Sequence, residues 1–322
     1  MPITATRLLN HPIVYPNMDS RMGGNINGPA LVRAPDWLQD PLGRYYLYFS
    51  DHKGTYIRLA YADSITGPWA LHTPGVLELT DSLFEPFDLP EPPESERPAW
   101  VKGMKGDYLY AHIASPDVHI DEVNRRFRMY YHGLLGNGDQ RTRLATSTDG
   151  ISFQALQPLL GPPYFRVFEY ADYVYAITWG GEIWRARQWA GPFEPGPQVI
   201  HYDAKDGVGE GFRHGEVHRV GDRLYVFYTR MGDRPERILY VEIDLRPHWK
   251  SWVAGHPIEL LEPELEWEGA GLPVRMSTMG AAHQRLRELR DPCVFEDEDG
   301  TIYLLYCGAG ECGIGLATLS GL

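Results

Sequence analysis

The sequence predicts an all-β fold, a five-bladed β-propeller, from three observations. A three-strand unit recurs five times along the 322 residues, and its middle strand is rich in tyrosine. A turn with Gly, Asp or Arg precedes that strand in each copy. Few stretches repeat with the period of a capped helix. Sheets that repeat without covering helices pack around an axis, because each sheet needs a neighbour for its apolar faces.

The second strand of each copy is the clearest element, because it is a run of aromatic and aliphatic residues. These runs occupy residues 45–49, 127–131, 173–177, 224–228 and 302–306. A shorter strand precedes each run, at residues 29–33, 117–121, 165–170, 216–220 and 291–295. A third strand follows, at residues 57–63, 142–149, 183–188, 237–244 and 314–319. The connecting segments have room for a fourth, outer strand, so we predict that each copy is one blade. A seven-stranded sandwich is the weaker alternative, since it needs fewer strands and no fivefold repeat.

Two longer insertions separate the copies, after the first and the fourth. The first contains a proline-rich stretch, residues 84–98, which we interpret as a surface loop of one blade because it falls between two copies. The second contains residues 281–289, a candidate short helix, and residues 267–269, a candidate cover for the channel mouth. We therefore predict a single domain over residues 1–322.

The composition limits which binding partners and which cellular compartment we expect for this protein. The formal net charge of −13 argues against nucleic acid, because binding phosphates requires a basic surface. The N-terminal residues lack the pattern of a secretory signal and no apolar run approaches the length of a membrane span, so we expect a cytoplasmic protein without a membrane partner. Cys293, Cys307 and Cys312 are expected to be reduced thiols, with a Cys307–Cys312 disulfide as the alternative. No spaced ligand motif predicts a metal or another cofactor, although a cation such as calcium in the channel is left open.

Propeller geometry selects the candidate site. The first strand of each blade starts at one face of the channel, and the loop after the second strand returns to that face. Only ten short segments therefore reach the channel mouth, and most of them contain charged, amide, imidazole or indole groups. The candidate site residues in or beside them are Asn27, Asp51, His52, His112, Asp117, His132, Arg166, Trp179, Arg213, His214, Glu216, Arg290, Asp291 and Glu311.

The five blade motifs together resemble the five-bladed propeller glycoside hydrolases. This group includes arabinanases, arabinofuranosidases, β-xylosidases and invertase-like enzymes, and the pattern is similar to glycoside hydrolase family 43. Arg290-Asp291-Pro292 is similar to the RDP motif of invertase-like members, and Ser115-Pro116-Asp117 to an inner-strand aspartate. At the place of the family's first-blade aspartate this sequence has Asn25 and Asn27. The resemblance implies a hydrolase of carbohydrate metabolism that acts on a small saccharide, by an inverting mechanism.

Glycoside hydrolysis needs one protonated and one ionised carboxyl group on opposite sides of the scissile bond. We assign the base or nucleophile, and the group that orients the acid or substrate, to Asp117 and Asp291. Glu216 and Glu311 are the alternatives for the general acid, with Glu216 preferred. The neighbouring arginines and histidines are expected to bind sugar hydroxyls or to keep an aspartate ionised, and Trp179 and Tyr164 to stack on a sugar ring.

Two other functions fit the same residues. Arg166, Arg213 and Arg290 together fit a phosphate, which predicts a glycoside phosphorylase or transferase. A propeller that binds sugar without catalysis is the other alternative. The enclosed mouth of the channel favours an enzyme that releases a terminal sugar over one that binds along a polysaccharide chain.

Overall fold

A computed structural model describes residues 2–96, 108–201 and 211–322, and it shows five antiparallel sheets. The sheets are arranged as the blades of a five-bladed β-propeller, which confirms the predicted fold class. All five tyrosine-rich runs are the second strands of their blades. The last two residues of the proline-rich stretch 84–98 lie outside the described residues.

The strands follow one another around the channel in chain order. The chain begins with β1 (Thr4–Arg7). The first blade contains β2 (Asn27–Arg33), β3 (Tyr45–Ser50), β4 (Tyr56–Ala62), β5 (Ala70–Leu71) and β6 (Leu77–Glu78). The second contains β7 (Ile113–Asp121), β8 (Arg126–Leu134), β9 (Gln140–Ser147) and β10 (Gln154–Ala155). The third contains β11 (Arg166–Tyr170), β12 (Tyr173–Ile177), β13 (Glu182–Ala186) and β14 (Glu194–Gln198). The fourth contains β15 (Phe212–Val220), β16 (Arg223–Arg230), β17 (Ile238–Asp244) and β18 (Ile258–Leu261). The fifth contains β19 (Arg290–Glu296), β20 (Ile302–Cys307) and β21 (Ile314–Ser320).

The two ends of the chain close the ring. Strand β1 pairs antiparallel with β21, with Thr4 opposite Ser320, and so supplies the outer strand of the fifth blade. In the other four blades the outer strand comes from the segment that follows the third strand, as the sequence predicts.

The core lies between neighbouring blades and is built largely from the second-strand tyrosines. Tyr46 and Tyr48 of the first blade are fully buried with Phe127 of the second, and the rings of Tyr46 and Phe127 are stacked with their centroids 6.3 Å apart. Such aromatic pairs bury large apolar areas. The three cysteines are free thiols, and Cys293 and Cys307 are buried.

The inner strands surround the channel, and four of the five carry a bulge near their start. The pairing register shifts after Asn27, Ala114, Phe212 and Arg290. Inside three of these bulges lies a residue with positive φ followed by proline: Gly28 at 57°, Ser115 at 50° and Asp291 at 48°. A Cβ on Gly28 would lie 2.8 Å from the Cα of Ser115, so this close approach needs glycine. Bulges re-aim side chains beside functional sites, and these lie at the channel mouth.

The helices of the described ranges are short 3-10 turns: Leu79–Asp81, Glu94–Glu96, Trp249–Ser251 and Glu266–Glu268. No described helix is long and apolar enough to cross a membrane. The prediction of a helix at residues 281–289 is wrong. The backbone N–H groups of Leu286 and Leu289 donate to the carbonyls of Ala309 and Glu236, so this segment bonds to the fifth blade and to the loop after β16.

Candidate active site

A pocket of about 240 Å³ opens at the face where the inner strands begin. One side is polar and comes from the first two blades, with His52, Tyr108, Tyr110, Asp139, Gln140 and Arg141. The opposite side comes from the third and fourth blades and the second insertion, and contains Pro162, Pro163, Trp179, Met231 and Met279. Arg213 and His214 of the fourth blade also line the pocket, which therefore combines hydrogen-bonding groups with apolar surface.

Four of the predicted site residues line this pocket: His52, Trp179, Arg213 and His214. Tyr164, predicted to stack on sugar, also lines it. The ring centroid of Tyr164 lies 4.2 Å from that of His132 and 4.9 Å from that of His214. The ring of Tyr164 thus packs against two imidazoles at the wall of the pocket.

Several lining residues were missed by the sequence reasoning. Asp139 and Arg141 belong to the loop and third strand of the second blade. The predicted second strand covered residues 127–131, whereas β8 continues to Leu134 and the loop continues to Asp139. Met279 lies in the second insertion, where no repeat pattern applies.

Glu311 is a fully buried carboxylate surrounded by donors. Its Oε1 lies 3.0 Å from Nη1 of Arg290 and 3.2 Å from Nδ1 of His52, and its Oε2 accepts from Nδ2 of Asn25 at 2.5 Å. Burial alone raises the pKa of a carboxyl, but the charges of His52 and Arg290 and the bond from Asn25 hold the pKa of Glu311 well below its usual value. Glu311 is therefore ionised and fully hydrogen-bonded, which is unsuited to a proton donor.

The same charged residues hold the second insertion against the channel mouth. Arg213 Nη2 donates to the carbonyl of Thr278, and Arg290 Nη1 donates to the carbonyl of Gly280 at 3.2 Å. The N–H of Ala282 donates to Glu311 Oε2 at 3.2 Å. Residues 278–282, which we call the mouth segment, include the lining residues Met279 and Gly280. Residues 267–269, by contrast, do not line the pocket, since Trp267 packs against Tyr306 and Glu268 bonds to it.

Asp291 and His214 form a close buried pair. His214 Nδ1 lies 2.5 Å from Asp291 Oδ1, and the two side chains are 4% and 1% exposed. Burial lowers the pKa of His214, and the carboxylate of Asp291 only partly offsets this effect. His214 is therefore a neutral imidazole at pH 7 that lines the pocket.

Asp117 and Glu216 lie farther along the inner strands, on either side of Arg166. Asp117 Oδ2 accepts from His119 Nε2 and from the N–H of Val167, both at 2.9 Å. Glu216 Oε2 lies 3.7 Å from Arg166 Nε. Against the effect of burial, His119 and Arg166 hold the pKa of Asp117 below its usual value. Burial, reinforced by Asp117, raises the pKa of Glu216 to about 8 despite Arg166. The pair thus combines an ionised and a protonated carboxyl at neutral pH.

The four carboxyl groups therefore occupy two levels of the channel. Asp291 lies within its bulge, at the level of Gly28 and Ser115, whereas Asp117 lies two residues farther along its strand, beyond the bulge. Two residues of extended strand correspond to roughly 6.6 Å.

The remaining predicted residues surround these groups. Asn27 accepts from Ser50 Oγ at 2.5 Å, and Asp51 accepts from Arg58 at 3.2 Å. Burial lowers the pKa of His112 to about 4, and burial also lowers that of His132 well below its usual value. Both imidazoles are neutral at pH 7.

The three arginines proposed to bind phosphate each lie beside a carboxylate, and Arg213 and Arg290 share Glu236 at 3.5 Å. Arg290 is enclosed by Glu236, Glu288 and Glu311, and Arg166 lies beside Glu216. Of the three, Arg213 alone lines the pocket. Within the described residues, no group of three or more His, Cys, Asp or Glu side chains is arranged to hold a metal ion.

Comparison with known proteins gives one relative in sequence and many in structure. The chain matches no established family profile. It is 36% identical over 314 residues to the uncharacterized protein R118 of Acanthamoeba polyphaga mimivirus, which covers 92% of this chain and 83% of R118.

Solved structures of glycoside hydrolases share the fold. A putative glycoside hydrolase from Parabacteroides distasonis matches with a TM-score of 0.63 at 11% identity, over 99% of this chain and 97% of that one. CoXyl43, a GH43 β-xylosidase/α-arabinofuranosidase from a compost microbial metagenome in complex with xylotriose, matches with a TM-score of 0.57 at 11% identity, over 98% and 95%. The resemblance in the blade motifs is thus confirmed at the level of the fold.

Proposed function

This chain belongs to the same family as mimivirus protein R118, and we propose that it is a glycoside hydrolase that releases a terminal sugar from a small saccharide or glycoside. The observation that carries the proposal is the pair Asp117 and Glu216, two carboxyl groups in one channel whose pKa values are displaced in opposite directions. Such a pair meets the requirement of glycoside hydrolysis for one proton donor and one ionised group. The shared fold with CoXyl43 and with the putative glycoside hydrolase from Parabacteroides distasonis supports the same reaction class.

Glu216 is the proton donor of the proposed mechanism. With a pKa near 8 it holds its proton at neutral pH, and its 8% exposure exceeds that of the other three acids in the site. Asp117, fixed by His119 and Val167, keeps its charge and thereby helps Glu216 keep its proton. As the glycosidic bond breaks, Glu216 gives this proton to the leaving oxygen.

The mouth pocket binds the substrate in this proposal. The terminal sugar stacks on Tyr164 and Trp179 and reaches past His214 toward Glu216. Arg213 donates hydrogen bonds to its hydroxyls, and His52 donates to them or accepts from them. A pocket enclosed on both sides suits the end of a chain rather than its middle.

Leaving-group dependence tests the acid. We expect Glu216→Gln to lower kcat/KM on an alkyl glycoside by about 10²–10⁴-fold, because the alkoxide leaves poorly without a proton. On a dinitrophenyl glycoside of the same sugar we expect a loss below about tenfold, because that leaving group needs no proton. The measurement is steady-state hydrolysis across aryl and alkyl furanosides and pyranosides.

Glu169→Gln is the matched control, since Glu169 is an exposed glutamate on the inner strand β11. It should behave as the wild type on both substrates. Equal losses on alkyl and dinitrophenyl glycosides in Glu216→Gln would show that Glu216 is not the acid. Absence of turnover on every glycoside would reject the hydrolase itself.

A sugar-binding propeller without catalysis is the second candidate. It is favoured by one observation, that none of the side chains Asp117, Glu216, Asp291 and Glu311 lines the mouth pocket. Titration calorimetry with the screened sugars separates the two. A binding protein would show saturable affinity that survives Asp117→Asn and Glu216→Gln, without turnover in any of the three proteins.

A further inference from the structure

We infer that His214, oriented by Asp291, is the general base that activates the attacking water, an inference that rests on the proposed hydrolase function. In this chain Asn25 and Asn27 stand near the start of the first inner strand, and neither amide can serve as a base. The fourth and fifth blades instead bring an imidazole and a carboxylate together at the pocket wall.

The geometry of the pair fixes the role of each ring nitrogen. His214 Nδ1 lies 2.5 Å from Asp291 Oδ1, and although this contact is not well aligned for a hydrogen bond, the carboxylate favours the tautomer with its proton on Nδ1. The lone pair then lies on Nε2, at the opposite edge of a ring that lines the pocket. A water molecule in the pocket can give its proton to this nitrogen.

Asp291 has little else to bind. Both of its carboxylate oxygens are buried, and no described residue gives either of them a well-aligned hydrogen bond. Apart from His214, its close partner is the thiol of Cys307, a weak donor. A buried carboxylate with so few donors is costly to fold, and such exceptions often mark functional sites. Its left-handed backbone, with φ at 48°, is a second local cost.

The spacing between His214 and Glu216 suits an inverting reaction. The two residues lie two positions apart on β15, where His214 belongs to the bulge that follows Phe212 and Glu216 lies beyond it. Two residues of extended strand span roughly 6.6 Å, and the acid and base of inverting glycosidases stand about 6.5–9.5 Å apart to leave room for water.

The proton and electron pairs balance in a single displacement. The water oxygen forms a bond to the anomeric carbon while its proton passes to His214 Nε2. The glycosidic C–O bond breaks, its electron pair stays on the leaving oxygen, and Glu216 protonates that oxygen. The products are a free sugar and an alcohol, with an imidazolium and a carboxylate that exchange protons with solvent before the next cycle.

Several charged or titratable groups face His214 from the surrounding strands. Arg213 on the same strand disfavours the imidazolium, whereas Asp291 and Glu311 of the fifth blade favour it. His132 of the second blade and the ring of Tyr164 pack nearby. These groups act on the pKa of His214 in both directions. The fall in kcat/KM at low pH, here called the acidic limb, therefore reports their combined effect.

The experiment compares pH profiles of kcat/KM for the wild type, His214→Gln and Asp291→Asn. We expect the wild type to lose activity at low pH as His214 becomes protonated. We expect His214→Gln to lose about 10²–10⁴-fold and to lack this acidic limb. Asp291→Asn should lose activity and shift the limb to lower pH, because the carboxylate that favours the imidazolium is gone. A purely structural role would not move the limb.

His218→Gln is the matched control, since His218 lies on the same strand with a carboxylate partner, Glu296, at 3.8 Å. Thermal unfolding and calorimetric affinity for the product sugar check that each variant folds and binds. If His214→Gln does not fold, His214→Asn replaces it. NMR of the first product anomer should show inversion.

An unchanged acidic limb in a folded, active His214→Gln, or retention of configuration, would overturn the inference. The leaving-group response of Glu216→Gln then still reports on the hydrolase separately. Wild-type protein without turnover on any glycoside would remove the proposed function, and the inference with it.

Discussion

Two buried glutamates in the site, Glu216 and Glu311, have pKa values displaced in opposite directions. Glu311 is surrounded by Arg290, His52 and Asn25, and their charges and hydrogen bonds outweigh the cost of burial. Arg166 lies 3.7 Å from Glu216, outside hydrogen-bond distance, and Asp117 repels the charge of Glu216. The effect of burial therefore exceeds that of Arg166, and the pKa of Glu216 is raised. The residue type is the same for an anchor and a proton donor, and the partners of the side chain separate the two roles.

The raised pKa of Glu216 predicts a pH-dependent stability. A carboxyl with a pKa of about 8 in the folded state and 4.5 in the unfolded state binds more protons when folded, so its contribution is full below about pH 4.5 and is lost as the pH rises through 8. We expect Glu216→Gln to raise the free energy of unfolding at pH 9 by on the order of 1–3 kcal/mol, and by less at pH 5. Urea unfolding at both pH values measures this.

The same measurement on Glu169→Gln provides the reference for an exposed glutamate. An increase that is equal at pH 5 and pH 9 would mean that the ionisation of Glu216 is not displaced in the fold.

At the scale of strands and loops, the sequence predicted the strands, because their apolar residues and the turns between them follow a recurring pattern. The five second strands were located within a few residues, because their tyrosines and aliphatic residues must fill the space between blades. The bulges were not predicted, although Gly28-Pro29, Ser115-Pro116 and Asp291-Pro292 recur at three of them. The mouth segment was also missed, because its position depends on bonds from Arg213, Arg290 and Glu311, residues distant in sequence.

The hydrogen bond from the mouth segment to Glu311 predicts that Glu311 anchors this segment. Glu311→Gln keeps the shape but removes the charge that pairs with Arg290 and His52. We expect the free energy of unfolding at pH 7 to fall by about 3–5 kcal/mol, the usual cost of removing one partner from a buried ion pair. KM should rise severalfold with a smaller change in kcat, because the wall that carries Met279 is loosened. Urea unfolding and steady-state kinetics measure the two effects.

Met276→Gln is a control for the kinetics, since Met276 lies in the same insertion, is 43% exposed and does not line the pocket. A Glu311→Gln protein of wild-type stability that had lost kcat alone would instead identify Glu311 as a catalytic acid or base.

For the whole molecule, the ring depends on one closure that the repeat pattern does not reveal. The outer strand of the fifth blade is β1, which precedes the first blade in the chain. Arg7 at the end of β1 donates to Glu268 at 2.7 and 2.9 Å and to Glu264 at 2.6 Å. Glu268 is completely buried and also accepts from the hydroxyl of Tyr306. The closure thus joins the first strand, the second insertion and the last blade through one carboxylate.

Arg7→Met therefore tests whether the ring depends on this ion pair. Burial opposes the charge of Glu268, but Arg7 and the neighbouring backbone N–H groups hold its pKa below the usual value. Without Arg7 we expect the free energy of unfolding at pH 7 to fall by about 3–5 kcal/mol. The stabilisation of an acid with a lowered pKa is present above about pH 4.5 and is lost as the pH falls, so the difference from wild type should shrink below pH 4. Arg246→Met, which breaks an exposed pair with Asp244, should leave the free energy of unfolding almost unchanged at any pH. If Arg7→Met costs no more than Arg246→Met, backbone pairing of β1 with β21 closes the ring without help from the buried carboxylate.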